Sequence, residues 1–166
     1  MIILSIGTNI GDREQNIKNA IVALGEIGKV CAISPIYTSE PWGFESENGF
    51  YNIALTIESE LLPLDLLRET QRIEKELGRT AKTTTEYADR VIDIDIIDYD
   101  NQIIDHRVKS ADNSSLLTLP HPLMHLRNFV LYPLADIAPE WVHPILKLTT
   151  LELKAKSEDK SIPYKK

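Results

Sequence analysis

Alternating and helically spaced apolar residues divide the chain into a short series of elements. Met1–Gly7 (MIILSIG) predicts a first strand, ending in the turn-forming Gly7-Thr8-Asn9-Ile10-Gly11. Asp12 stands where an N-cap belongs, ahead of Ile17, Ala20, Ile21, Leu24 and Ile27 at helical spacing, and Gly25 and Gly28 frame the helix end. The alternation from Val30 to Ser39 predicts a second strand. Phe50–Glu58 (FYNIALTIE) predicts a third, with Tyr51, Ile53, Leu55 and Ile57 on one face. Pro63 opens a second helix carrying Leu64, Leu67, Thr70, Ile73 and Leu77, and Gly78 closes it. A strand over Ile92–Tyr99 follows, with Asp100-Asn101 as a turn into Gln102–Ile104. Beyond it LPHPLMHLR predicts a loop and short helix, and Phe129–Leu134 the next ordered segment.

The order β-α-β-β-α-β is that of the split βαβ unit, an antiparallel sheet with two helices on one face. The expected fold is therefore α+β, a ferredoxin-like βαββαβ sheet with packed helices and additional C-terminal elements. Residues 1–146 read as a single domain and 147–166 as a lysine-rich extension. Two stretches interrupt the pattern. Gly78–Asp89 is twelve residues of threonine and charge without apolar periodicity, and loops of that length in a small domain are usually functional. It delivers Arg79, Lys82 and Arg90 just ahead of the strand at Ile92, so it reads as a lid. Trp42–Gly49 is a second loop, an aromatic among glycines, glutamates and an asparagine.

Composition narrows the class. A chain of 166 residues, 43% hydrophobic and 26% charged, is that of a soluble globular domain able to bury roughly 70% of its unfolded surface. The opening lacks a basic n-region and stops being apolar within six residues, so it reads as a strand and not as a signal peptide. No run approaches the ~18–20 apolar residues of a membrane span. A cytoplasmic protein is expected, with the single Cys31 as a small core residue. Net charge is −7, which argues against nucleic-acid binding through a general basic field. Residues 147–166 hold six lysines against Glu152, Glu158 and Asp159, a net of +3, so residues 1–146 carry −10. The tail reads as solvated. A polyphosphate would have to be held by a few placed cations and metal.

The chemistry begins at Arg90-Val91-Ile92-Asp93-Ile94-Asp95-Ile96-Ile97. On a strand Asp93 and Asp95 share one face while Ile92, Ile94 and Ile96 take the other. Two carboxylates roughly 6–7 Å apart on one face repel unless a cation lies between them. Magnesium fits, since it takes one or two carboxylates and completes its shell with water and phosphate. The plain alternative is an edge strand with a wet acidic face. Three further groups weigh against it. Arg79, Lys82 and Arg90 supply cations on the adjoining loop, and guanidinium forks match phosphate oxygens. By parity Arg90 would share the Ile92 face if the strand reached it, so it must lie at or beyond the strand's start. His121 and Arg127 sit on or just after a proline-bracketed turn. Trp42, Phe50, Asn52 and Phe129 offer flat surfaces and an amide suited to a planar heterocycle.

Taken with these residues, the chain resembles the 6-hydroxymethyl-7,8-dihydropterin pyrophosphokinase family. The resemblance rests on LSIGTNIGDREQNI, SPIYTSEPWG, FYNIALTIE, TQRIEKELGR, DRVIDIDII and LPHPLMHLRNFVLYPLADIAPEW, in that order within residues 2–141. DRVIDIDII followed by LPHP is the specific part. The resemblance implies transfer of a diphosphate from ATP to the pterin's hydroxymethyl group, with release of AMP, in folate biosynthesis. It implies two Mg²⁺ ions ligated by Asp93 and Asp95, and Arg79 and Arg90 on the transferring phosphates. Gln71, Glu74, His121 and Arg127 would line the ATP pocket, with Lys82 on the lid beside them. Asn52 would hydrogen-bond the pterin, Phe50 and Phe129 would sandwich it, and Trp42 would close over it. ATP and the pterin are the expected partners of a monomer.

The chain departs from the family pattern at Ala88-Asp89-Arg90-Val91, where Gly-Pro-Arg-Thr is common, and at Ala81, where a basic residue is frequent. Tyr87 stands for a lid aromatic that is often tryptophan. A non-catalytic ferredoxin-like module would bind its nucleotide or metabolite without magnesium. Another magnesium-dependent nucleotidyl- or phosphotransferase would leave Asn52 and the aromatic pair without a purpose.

Overall fold

Ile2, Leu4 and Ile6 point to one side of the first strand and Ile3 to the other, and all four are at most 2% exposed. That strand therefore needs cover on both faces, and the rest of the fold provides it. The structure is a computed structural model, described over residues 1–40, 49–78, 90–106 and 117–166. The elements in chain order are β1 (Ile2–Thr8), α1 (Arg13–Gly25), β2 (Lys29–Ile33), β3 (Tyr37–Ser39), β4 (Phe50–Glu58), α2 (Pro63–Glu76), β5 (Asp93–Tyr99), β6 (Ile104–His106) and β7 (Leu117–Leu119). A 3₁₀ turn (Met124–Leu126), α3 (Asn128–Ile137), α4 (Thr150–Lys156) and β8 (Tyr164–Lys165) follow.

Six strands form the main sheet in the order β5-β1-β4-β3-β8, with β2 also paired to β4. Every pairing is antiparallel. α1 and α2 cover one face, where Ile17, Ala20, Leu24, Leu66 and Ile73 meet Leu4, Ile6, Leu55, Ile94 and Ile96. On the other face α3 and α4 pack Val130, Leu131, Leu134 and Leu153 against Ile3, Ala54 and Ile97. The architecture is thus a mixed α/β fold with helices on both sides of an antiparallel sheet. Among the described residues no helix is long and apolar enough to cross a membrane.

Three expectations need correction. The single strand over Val30–Ser39 is two, because Pro35 has no N–H to donate. Ser34 takes over at the break: its N–H donates to the Ala54 carbonyl at 2.9 Å and its hydroxyl accepts from the Ala54 N–H at 2.9 Å. Cys31 is exposed, not core, because the β2–β4 register passes from Val30↔Ile57 to Ala32↔Thr56 and skips it. The lysine-rich tail is solvated along much of its length, but it is also packed onto the body. Leu153 of α4 is 4% exposed in the core, a Thr149–Glu152 capping box starts that helix, and β8 pairs with β3. The lysines serve locally: Lys154 lies 4.1 Å above the Tyr132 ring, and Lys166 donates to Glu14 at 2.7 Å.

One irregularity decides how β5 works. Its register with β1 jumps between Ile3↔Asp98 and Leu4↔Ile96, which leaves Ile97 as an extra residue. Asp93, Asp95 and Ile97 therefore share the α3 side, while Ile94, Ile96 and Tyr99 all reach the core under α1 and α2.

Candidate active site

Antiparallel pairing sets a row of residues across the α3 face of the sheet. Asp93 lies opposite Gly7, Gly7 opposite Asn52, and Asn52 opposite Tyr37. One step along, Asp95 lies opposite Ser5 and Ser5 opposite Ala54. α3 covers the Ala54 and Ile3 end of this face. Both aspartates are half-buried and on one side of β5, as the alternation predicts. Two strand spacings, about 10 Å, separate the Asp93 and Asn52 backbones.

Gly7 keeps the floor between them open. A Cβ there would sit 3.0 Å from Asn52 Oδ1 and 3.6 Å from the Phe50 ring. Asn52 is 2% exposed, and its Nδ2 donates to the Ser39 hydroxyl at 2.6 Å. That bond fixes the amide, with its oxygen over Gly7. Phe50 is half-buried beside it.

The backbone entering β5 is held from the turn after β1. Asn9 Oδ1 accepts from the Arg90 N–H at 2.6 Å, and the Asn9 N–H donates to the Arg90 carbonyl at 3.0 Å. Asn16 Nδ2 reaches the Val91 carbonyl at 3.2 Å and the Ile10 carbonyl at 2.9 Å. β5 begins at Asp93, so Arg90 lies outside the strand, as its parity requires. On the outer edge of β5 the Ile94 N–H, between the two aspartates, donates to Glu74 Oε2 at 3.3 Å. Glu74 is 4% exposed, and Gln71 lies one turn earlier on α2, half-buried.

His121 is tied to the far end of β5. Its N–H donates to the Ile97 carbonyl at 2.8 Å, and its Nδ1 accepts from the Leu123 N–H at 3.1 Å. With Nδ1 an acceptor, the neutral ring carries its proton on Nε2. Arg127 is 3% exposed, with its guanidinium carbon 5.6 Å from the Phe129 ring centre. Burial pushes this guanidinium down to about 10, so it stays charged at neutral pH.

Asp93, Asp95 and Asn52 thus share one face of β5 and β4, the two strands that flank β1, while Arg90, His121, Arg127 and Phe129 lie on segments leading into or packed beside it. Trp42, Arg79 and Lys82, with Ala81, Tyr87, Ala88 and Asp89, lie outside the described residues. Asn9, Asn16 and Ser39 were not singled out in the sequence. For Asn9 and Ser39 a polar residue at the end of a strand was the available signal, and for Asn16 its place in the first turn of α1. Among the described residues no three His, Cys, Asp or Glu side chains form a metal cage. Two carboxylates on one open strand face nevertheless suit a hard divalent ion completed by water and phosphate. An open depression at the other end of β4, lined by Gly28, Glu58, Ser59 and Leu61, holds none of these residues.

A family model described as 7,8-dihydro-6-hydroxymethylpterin-pyrophosphokinase matches residues 3–139. A Porphyromonas gingivalis protein named 2-amino-4-hydroxy-6-hydroxymethyldihydropteridine pyrophosphokinase is 44% identical over 146 residues, 87% of this chain and 94% of its own length. An Aquifex aeolicus protein of the same name is 38% identical over 151 residues, covering 91% and 88%. The folic acid synthesis protein of Dictyostelium discoideum is 41% identical over 154 residues, 93% of this chain but 22% of that one. Among solved structures, a Plasmodium falciparum HPPK-DHPS chain superposes with a TM-score of 0.75 at 17% identity. It covers 93% of this chain, which spans 44% of that chain, and the likeness carries the fold alone.

Proposed function

The chain belongs to the 7,8-dihydro-6-hydroxymethylpterin-pyrophosphokinase family, an ATP-dependent diphosphokinase of folate biosynthesis, and from that premise we propose how its own residues perform the transfer. The substrates are ATP and 6-hydroxymethyl-7,8-dihydropterin. The pterin's hydroxymethyl oxygen forms a bond to the β-phosphorus of ATP. The bond from that phosphorus to the α,β-bridging oxygen breaks, AMP leaves with that oxygen, and the hydroxyl proton passes to solvent.

The observation that carries this reading is the row Asp93–Gly7–Asn52, a carboxylate end and an amide end on one face with a glycine between them. Asp93 and Asp95 are the residues to hold Mg²⁺, two ions in this reading. Bound there, magnesium supplies charge neutralisation for the triphosphate and polarises the attacking hydroxyl. Asn52, its Nδ2 committed to Ser39, presents its amide oxygen to the pterin's N–H groups. Phe50 and Phe129 stack on the ring faces. Arg127 and His121, the latter donating from Nε2, hold ATP, with Gln71 beside them. Glu74 steadies the β5 backbone between the two aspartates. Arg90 and Arg79 stabilise charge on the transferring group, Lys82 adds to nucleotide capture, and Trp42 closes over the pterin. Positioning and electrostatics suffice for such a transfer, so no nucleophilic side chain is required.

The strand order and the two helices under one face support reading the body as ferredoxin-like, with α3, α4 and β8 added. The enzyme is read as a monomer, cytoplasmic, and without nucleic-acid or membrane partners. Incubation with ATP, Mg²⁺ and the pterin tests the reading: AMP must form in step with diphosphorylated pterin. ADP as the nucleotide product, or turnover independent of magnesium, overturns it.

A further inference from the structure

α3 starts without a cap of its own. Its N-cap position is Arg127, whose side chain makes no capping bond. The cap comes from 31 residues downstream: the N–H of Asn128, the first helical residue, donates to Asp159 Oδ2 at 2.9 Å. A carboxylate there also opposes the positive end of the helix dipole. The same side chain bends the tail, since the Ser161 N–H donates to Asp159 Oδ1 at 2.9 Å and the Asp159 N–H to the Ser157 hydroxyl at 3.2 Å. Asn128 returns the grip, its Nδ2 donating to the carbonyls of Asp159 at 3.0 Å and Ser161 at 2.7 Å. Both amide hydrogens are thereby used, and a flipped amide would set its oxygen against two carbonyls. Asn128 is 3% exposed.

Asn128 stands between Arg127, the N-cap of α3, and Phe129, its second residue, which are assigned above to ATP and to the pterin. We infer that Asp159 is a positioning residue, which through Asn128 sets the Arg127 guanidinium and the Phe129 ring for both substrates. The inference rests on the proposed function. The tail is also anchored beyond this point, where β8 pairs with β3 and the Lys166 N–H donates to the Ile36 carbonyl at 2.9 Å. Asp159 is thus held between α4 and a fixed strand.

The test compares Asp159→Ala and Asp159→Asn with the wild-type chain for AMP formation, KM for each substrate, kcat and melting temperature. Asp159→Ala is expected to raise KM for both ATP and the pterin about tenfold while kcat stays within about twofold, since it displaces binding groups and not the reacting ones. Asp159→Asn keeps one acceptor for the Asn128 N–H, so its KM values should rise about threefold. A merely structural cap would lower the folded fraction, reducing apparent kcat and leaving KM unchanged; that result overturns the inference. If the alanine variant does not fold, unchanged KM values in Asp159→Asn overturn it equally. A wild-type chain that forms no AMP overturns the functional reading itself, and the positioning role falls with it.

Discussion

Gly7→Ala asks whether the open floor between the aspartates and Asn52 is used. The backbone conformation does not require glycine there, because Gly7 is not among the residues with positive φ. The constraint is space. The new methyl carbon would sit 3.0 Å from Asn52 Oδ1, closer than most real contacts, and 3.6 Å from the Phe50 ring. Asn52 must give way by a few tenths of an ångström, against its 2.6 Å bond to Ser39. Overpacking of this kind costs about 1–3 kcal/mol, offset by the roughly 0.5–1 kcal/mol that alanine gains over glycine in a strand. A net loss near 1 kcal/mol would lower the melting temperature of a chain this size by about 2–4 °C. Displacing the amide forfeits up to one hydrogen bond to the pterin, about 0.5–1.5 kcal/mol, and so raises the pterin KM about two- to tenfold. Arg127 and His121 lie on other segments, so the KM for ATP should hold. Steady-state assays of AMP release, varying each substrate in turn, read this difference. Equal shifts in both constants, or none in a folded variant, would refute the assignment of Asn52 and Phe50 to the pterin.

Asp93→Ala and Asp95→Ala should each lower kcat at least about 10³-fold through lost charge stabilisation, with an unchanged circular-dichroism spectrum; near-normal turnover at saturating magnesium would remove the metal assignment. Glu74→Ala should cost about 1–3 kcal/mol in urea unfolding by depriving the buried Ile94 N–H of its acceptor, and Glu74→Gln should recover most of it. Asp98 is 1% exposed, and burial holds its carboxyl above the usual range even though its Oδ2 accepts from the Asn101 N–H. In the window between its unfolded value near 4 and its raised folded value the native state binds more protons, so this group's contribution falls as pH rises through that window. Asp98→Asn should therefore be more stable than wild type at pH 7 and no more stable at pH 3, as thermal melts at both pH values would show.

Elements whose pattern is local were legible in the sequence. β1, β4, β5 and both helices of the α1–α2 face follow from alternation and helical spacing, and the shared face of Asp93 and Asp95 follows from parity alone. What escaped was set by partners distant along the chain. Asn9 holds Arg90, 81 residues on, and Ser39 holds Asn52, 13 residues on. Asn128 is gripped by Asp159, whose role in a lysine-rich segment no periodicity signals. The break at Pro35 carried a visible marker, but the exposure of Cys31 came from a register skip that only the pairing with β4 reveals. Net charge misled for part of the tail, because Lys154 and Lys166 stack on tyrosines while Lys165 and Lys166 pair with acids of the body.

The supernumerary Ile97 makes β5 a strand with a phase slip in its middle. Unbroken alternation would drive Asp98 into the isoleucine-rich layer above α1 and α2 and leave Tyr99 on the opposite side. With the slip, one end of the strand is a wet acidic ledge and the other a dry packing rib, and neither dictates the sequence of the other. Deleting this isoleucine would restore plain alternation, with Asp93, Asp95 and Asp98 on one side and Ile94, Ile96 and Tyr99 on the other, so the expected harm is its lost packing beneath α3 and not a strand turned inside out.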